Sequence, residues 1–144
     1  MDELYPGRSN RKAFPLLSSP RESNAMKSML IIDGSEIIAT LFAEMFQKRG
    51  WYVAACSNGE CAMDRLVRKE HYDVVILGYH VPGIDGLQLV RFIRALEHRR
   101  TTAVVMVTGS AEGTDEALAA GADEVLLKPI NPNSLLWAVE KHVL

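Results

Sequence analysis

The stretch that decides the fold is "YDVVILGYHVPGIDG", Tyr72 to Gly86. Val74, Val75, Ile76 and Leu77 form an uninterrupted apolar run that stops at a bare glycine, Gly78, before a turn rich in Pro and Gly. A strand this continuous in apolar residues is buried on both faces, as in a parallel sheet sandwiched between helices. In such sheets ligands and chemistry gather at the C-terminal strand ends, so the residue at Gly78 matters most.

Outward from this run, the same alternation recurs five times from Met26 onward. "MLIID" precedes a helix carrying Ile37, Ile38, Leu41, Phe42, Met45 and Phe46, a spacing that predicts one apolar face. "WYVAA" precedes a helix around Ala62, Leu66 and Val67, and "DVVIL" precedes Leu87, Val90, Ile93 and Leu96. "AVVMV" precedes "TDEALAAGA", and "EVLL" precedes a last helix with Leu135, Leu136, Val139 and Val143 on one stripe and Trp137 on the opposite side. Short apolar runs alternating with amphipathic stretches predict an α/β domain, a doubly wound five-stranded parallel sheet with helices on both faces.

The totals narrow the partners. A chain of 144 residues fits one domain with a core of its own. A net charge of −2 gives no basic field for nucleic acid and no polybasic block for a membrane surface. Cys56 and Cys61 lack the spacing of a zinc site and read as reduced, buried thiols. His71, His80, His98 and His142 have no metal-like spacing either. No apolar run reaches the roughly 18 residues needed to span a bilayer, and the expectation is a cytoplasmic protein. Residues 1–25, rich in Ser, Pro, Arg and Asn, read as a flexible extension outside the fold, either a vector leader or the product of a mis-called start; residues 26–144 are the folded domain.

The residues closing the strands are Asp33 and Gly34, then Gly78, then Thr108 and Gly109, then Lys128 and Pro129. This order, with "HVPGIDGLQL", "VMVTGS" and "AGADEVLLKPI", resembles the receiver domain of bacterial response regulators, over nearly all of Met29 to Leu144. The resemblance implies a flavodoxin-like strand order 2-1-3-4-5 and a cis Lys128–Pro129 bond. It also implies a phosphoryl group carried from a histidine kinase to an aspartate after strand three, beside a divalent metal held by acids after strand one. A carboxylate nucleophile, Mg²⁺ and a cation for the phosphoryl oxygens are what that reaction requires.

Lys128 falls on the family's lysine, Thr108 on its hydroxyl residue and Asp33 on the first acid of its pair. Gly34 stands where the second, metal-binding acid belongs, and Gly78 stands at the phospho-accepting aspartate. The expectation is therefore a degenerate pocket with no catalytic residue, little or no Mg²⁺ binding, and a direct Asp33 to Lys128 ion pair. As a strand-end lysine, Lys128 is expected to be buried enough to require such a partner. Asp33 with Glu36 also reads as an N-cap of the first helix, and Gly78 as a close backbone approach at a turn.

Function follows from those vacancies: a receiver domain of a two-component phosphorelay, not an enzyme, acting by protein interaction without phosphorylation at the usual site. The partners implied are a histidine kinase, another response regulator or a second copy, met on a face containing Val125, the family's switch position, and Trp137. Two alternatives stand beside it. One is a receiver phosphorylated at a non-standard acceptor such as Tyr79, His80 or Asp85; the other is a flavodoxin-like small-ligand-binding protein, disfavoured because no Gly-rich phosphate loop follows strand one.

Overall fold

The computed structural model describes residues 26–143. The extension predicted for residues 1–25 lies outside these residues. Strands β1 (Ser28–Ile32), β2 (Tyr52–Cys56), β3 (Val74–Gly78), β6 (Ala103–Thr108) and β7 (Glu124–Leu127) form one parallel sheet in the order β2-β1-β3-β6-β7. Counting these five alone, the order is the expected 2-1-3-4-5. A two-residue pair, β4 (His80–Val81) and β5 (Ile84–Asp85), makes a small antiparallel hairpin inside "YHVPGIDG".

Side-chain alternation along the strands divides the core into two layers. Leu30, Ile32, Val75, Leu77, Val104 and Met106 face one way and pack under α2 (Gly59–Val67), α3 (Gly86–Ala95) and α4 (Thr114–Ala120). Met29, Ile31, Val74, Ile76, Val105 and Val107 face the other way, under α1 (Glu36–Gln47) and α5 (Pro132–Val143). All residues of β1, β3 and β6 are buried, as continuous apolar runs predict. Strand β7 closes the sheet as an edge and is only half-buried.

Three expectations about local structure need correction. The predicted apolar face of α1 is buried only in part: Phe46 is buried and Phe42 and Met45 pack against the core, but Ile37 and Leu41 are 74% and 56% exposed, and Ala39 and Ala43 take the contact with the sheet in their place. Apolar residues at six positions of a twelve-residue helix cover more than one face, and the small side chains mark the close approach. The N-cap of α1 is Ser35, whose hydroxyl accepts the Ile38 N–H at 3.2 Å; Asp33 lies two residues earlier and accepts the Ser35 N–H at 2.8 Å instead. Cys56 and Cys61 are joined as a disulfide rather than reduced, because the end of β2 and the first turn of α2 bring their Cα atoms to 5.7 Å.

A buried cation anchors the side of the sheet away from its C-terminal strand ends. Arg99, 1% exposed, lies in a short 3-10 turn (Glu97–Arg99) after α3. Its Nε donates to the Leu66 carbonyl at 3.1 Å and an Nη to Arg68 at 2.9 Å, so a guanidinium closes the C-terminal end of α2, where the helix dipole favours positive charge. The same guanidinium stacks on the buried Tyr72 ring at 5.0 Å from its centroid. Burial pulls Arg99 below its ordinary pKa and pushes the Tyr72 phenol up, so the pair is a cation beside a neutral phenol.

Arg99→Ala removes the cation, its stacking surface and its bonds to the Leu66 and Arg68 carbonyls together. The expected loss is about 2–4 kcal/mol in urea unfolding, whereas Ile37→Ser on the exposed face of α1 is expected to change stability by less than about 0.5 kcal/mol.

Candidate functional site

Parallel register brings the C-terminal ends of β1, β3, β6 and β7 into one row. Ile32 pairs with Leu77, Gly78 with Val107, and Thr108 with Leu127, which sets Asp33, Gly78, Thr108 and Lys128 around a single hollow. Asp33 is 6% exposed. Its Oδ1 accepts the Ser35 N–H, and its Oδ2 lies 3.9 Å from Lys128 Nζ, the lysine predicted to pair with it. Lys128 is less buried than a strand-end lysine was expected to be, with its side chain 38% exposed, because the edge position of β7 leaves it open to solvent. The Lys128–Pro129 bond is cis, and the Lys128 N–H donates to the Thr108 carbonyl at 2.7 Å. Thr108 is buried, and its Oγ1 accepts the Ser110 N–H at 3.3 Å.

The two glycines occupy different environments. A Cβ at Gly78 would lie 3.3 Å from Asp33 Oδ2, so any side chain there would project at the Asp33 carboxylate. Gly78 has an ordinary strand conformation, and no backbone atom stands nearer than 3.9 Å from that Cβ, so the close-approach reading does not apply. Gly86 is the residue that close approach requires: a Cβ there would meet the Gly78 carbonyl oxygen at 2.6 Å and Tyr79 Cα at 2.8 Å. At Gly34 a Cβ would sit 3.0 Å from Pro82 Cδ and 3.2 Å from the His80 carbonyl oxygen, so the hairpin lies directly over this vacancy.

None of the substitute acceptors supplies a carboxylate at the hollow. Asp85 caps α3, its Oδ1 accepting the Gln88 N–H at 2.8 Å while Gln88 returns a hydrogen bond to the Asp85 N–H at 3.2 Å. The His80 ring is exposed and packs edge-on to Tyr79 at 5.0 Å between centroids. Tyr79 is half-buried and runs toward Gly113 at the start of α4.

The predicted interaction face is built by α4, β7 and α5. Val125 is half-buried, and Trp137 is 61% exposed with Lys141 Nζ 4.0 Å from its ring centroid. Lys141 and His142 both reach Glu124 Oε1, at 3.1 and 2.9 Å, and so fasten α5 to the edge strand. Burial acts to raise the Glu124 carboxyl, but hydrogen bonds from His142 and Lys141 outweigh it and hold the group below its ordinary range. Exposed Leu127 ends β7 itself, and exposed Leu118 lies on α4. Sequence patterning missed Leu127, because an edge strand reads like a buried one.

Comparison with known proteins gives a consistent picture. The family model for the response regulator receiver domain matches residues 29–140. Sporulation initiation phosphotransferase F of Bacillus subtilis is 27% identical over 117 residues, covering 81% of this chain and 94% of that protein. The transcriptional regulatory protein SrrA of Staphylococcus aureus is 28% identical over 114 residues, but the chain spans only 46% of its length. Among solved structures, a CheY-like receiver domain protein from Methanospirillum hungatei matches with a TM-score of 0.77 at 25% identity, over 82% of this chain and 94% of that one. Chemotaxis response regulator CheY4 of Vibrio cholerae matches at 0.75 and 27%, over 81% and 98%.

The glycine environments predict unequal responses to one added methyl group. Gly78→Ala is expected to stay within about 1 kcal/mol of the parent, while Gly86→Ala, which forces backbone apart, is expected to lose about 2 kcal/mol or more. Urea midpoints of the two variants provide the comparison.

Proposed function

The chain belongs to the response regulator receiver family, and from that membership we propose that it is a receiver that signals through protein contact, with no phosphoryl group at the usual position. One observation carries this reading: of the carboxylates that phosphoryl transfer requires at the strand ends, Asp33 alone is present, and both of its oxygens face donors of this chain. A carboxylate nucleophile attacks phosphorus with a free lone pair. Gly78 has no such group, and Asp85, the first acid that follows it in the chain, is committed to its helix cap.

The same donor set argues against a resident Mg²⁺. That ion requires near-octahedral oxygen ligands, usually with one or two carboxylates free to bind it. Among the described residues no cluster of three or more His, Cys, Asp or Glu side chains is placed to hold a metal. The one acid at the hollow is balanced by Lys128, so a divalent ion would compete with an existing cation.

Receiver domains meet histidine kinases and other response regulators, and the proposed partner here is one of these or a second copy of the chain. The surface for it is the edge of the sheet at β7 with the helices on either side, where Leu127 of β7 and Trp137 of α5 expose apolar area. An exposed aromatic held flat by a neighbouring cation is a suitable anchor, since little side-chain freedom remains to be lost on docking. No helix among the described residues is long and apolar enough to cross a membrane.

Incubation with acetyl phosphate and Mg²⁺, followed by intact mass measurement, tests the proposal. The expected result is an unmodified chain, alongside a receiver with its aspartate in place that gains one phosphoryl group. A hydroxylamine-labile phosphoryl group on any residue of this chain would overturn the reading.

A further inference from the structure

We infer that Cys56 and Cys61 form a thiol–disulfide site through which small thiols and disulfides reach the loops around the degenerate hollow. The two residues are the only cysteines of the chain, and their Cα atoms are 5.7 Å apart, inside the range a disulfide spans without moving backbone. Cys56 is 1% exposed at the end of β2, whereas Cys61 is only half-buried in the first turn of α2. One sulfur is therefore sheltered and the other accessible, the asymmetry that directs an incoming thiolate to Cys61 Sγ. A Cys61 thiolate also lies where the helix dipole favours negative charge.

The loop that the bond closes touches both sides of the hollow. The Cys56 carbonyl accepts the Asp33 N–H at 3.1 Å, next to the sole remaining acid. The Gly59 N–H donates to the Pro82 carbonyl at 2.8 Å, and a Cβ at Gly59 would come within 2.3 Å of Ile84 Cγ2. Pro82 in turn covers the vacancy at Gly34. The position of residues 57–60 is thus read on one side by β1 and on the other by the hairpin.

The chemistry is ordinary exchange. A small thiolate attacks Cys61 Sγ, the electron pair of the S–S bond leaves on Cys56 Sγ, and Cys56 takes up a proton. A second thiolate attacks the small-molecule sulfur of the mixed disulfide, releasing the Cys61 thiolate and forming the small disulfide; two electrons pass to the protein. Oxidation by a small disulfide is the reverse. The closed ring is short, so its effect on the unfolded chain is modest, and the domain remains folded in both states. This input is independent of whether any residue of the hollow accepts phosphate.

The test equilibrates the full chain in glutathione buffers from strongly reducing to strongly oxidising, acid-quenches aliquots and labels them with a maleimide in denaturant for intact mass, and records amide NMR spectra of the folded chain in the same buffers. The expected outcome is a single transition between two labelled thiols and none, with shifts at residues 57–60 and also at Asp33, Gly34 and Ile84. The reduced form is expected to melt about 5–10 °C lower. Cys61→Ser is expected to match the reduced amide spectrum in every buffer. Two labelled thiols in the most oxidising buffer would overturn the site, as would none in the most reducing buffer with the chain still folded. Shifts confined to residues 57–60 would overturn its link to the hollow.

Discussion

Burial of β3 on both faces is the constraint from which the rest of the molecule follows. Val74–Gly78 pairs in parallel with β1 on one side and β6 on the other, and every residue of it is buried. Parallel neighbours cannot be joined by tight turns, so each connection crosses a face of the sheet as a helix. Alternating side chains then require helices on both faces, which α1 and α5 supply on one and α2, α3 and α4 on the other. The same geometry points all the strand ends one way and gathers Asp33, Gly78, Thr108 and Lys128 from four strand ends.

What those ends can do is set by charge. A receiver with its full set of acids has an excess of negative charge that a divalent ion neutralises. With glycine at positions 34 and 78, a single carboxylate faces a single ammonium group at 3.9 Å. Lys128 is partly solvated, so this pairing contributes on the order of 0–1 kcal/mol and acts mainly as a local balance of charge. The fold is held elsewhere, by the two apolar layers and by Arg99 closing the end of α2. That separation explains how acids can be absent from the site without cost to the sheet.

The parallel sheet and the residues at its strand ends were legible from apolar runs alternating with amphipathic stretches, while the strand order came from the resemblance to receiver domains. Helix faces were less so. Ile37 and Leu41 fit the helical period as well as Ala39 and Ala43, and only packing against β1 and β2 decides between them. Ser35 and Asp33 are both capping residue types, and the choice depends on where the chain turns out of β1. The Cys56–Cys61 bond follows no spacing rule, since it depends on the angle at which α2 leaves β2. Arg99 gave no signal at all: a cation in a short polar stretch reads as surface until the carbonyls of α2 are placed beside it.

The central claim is that the hollow balances its one acid with Lys128 rather than with a metal. Titration of the chain with Mg²⁺, followed through the amide resonances of Asp33, Gly34, Gly78 and Lys128, tests this most directly. The account predicts small, linear, non-saturating shifts over the concentration range in which a receiver with its full acid set saturates. A saturating shift at Asp33 with a matching response at Lys128 would contradict it.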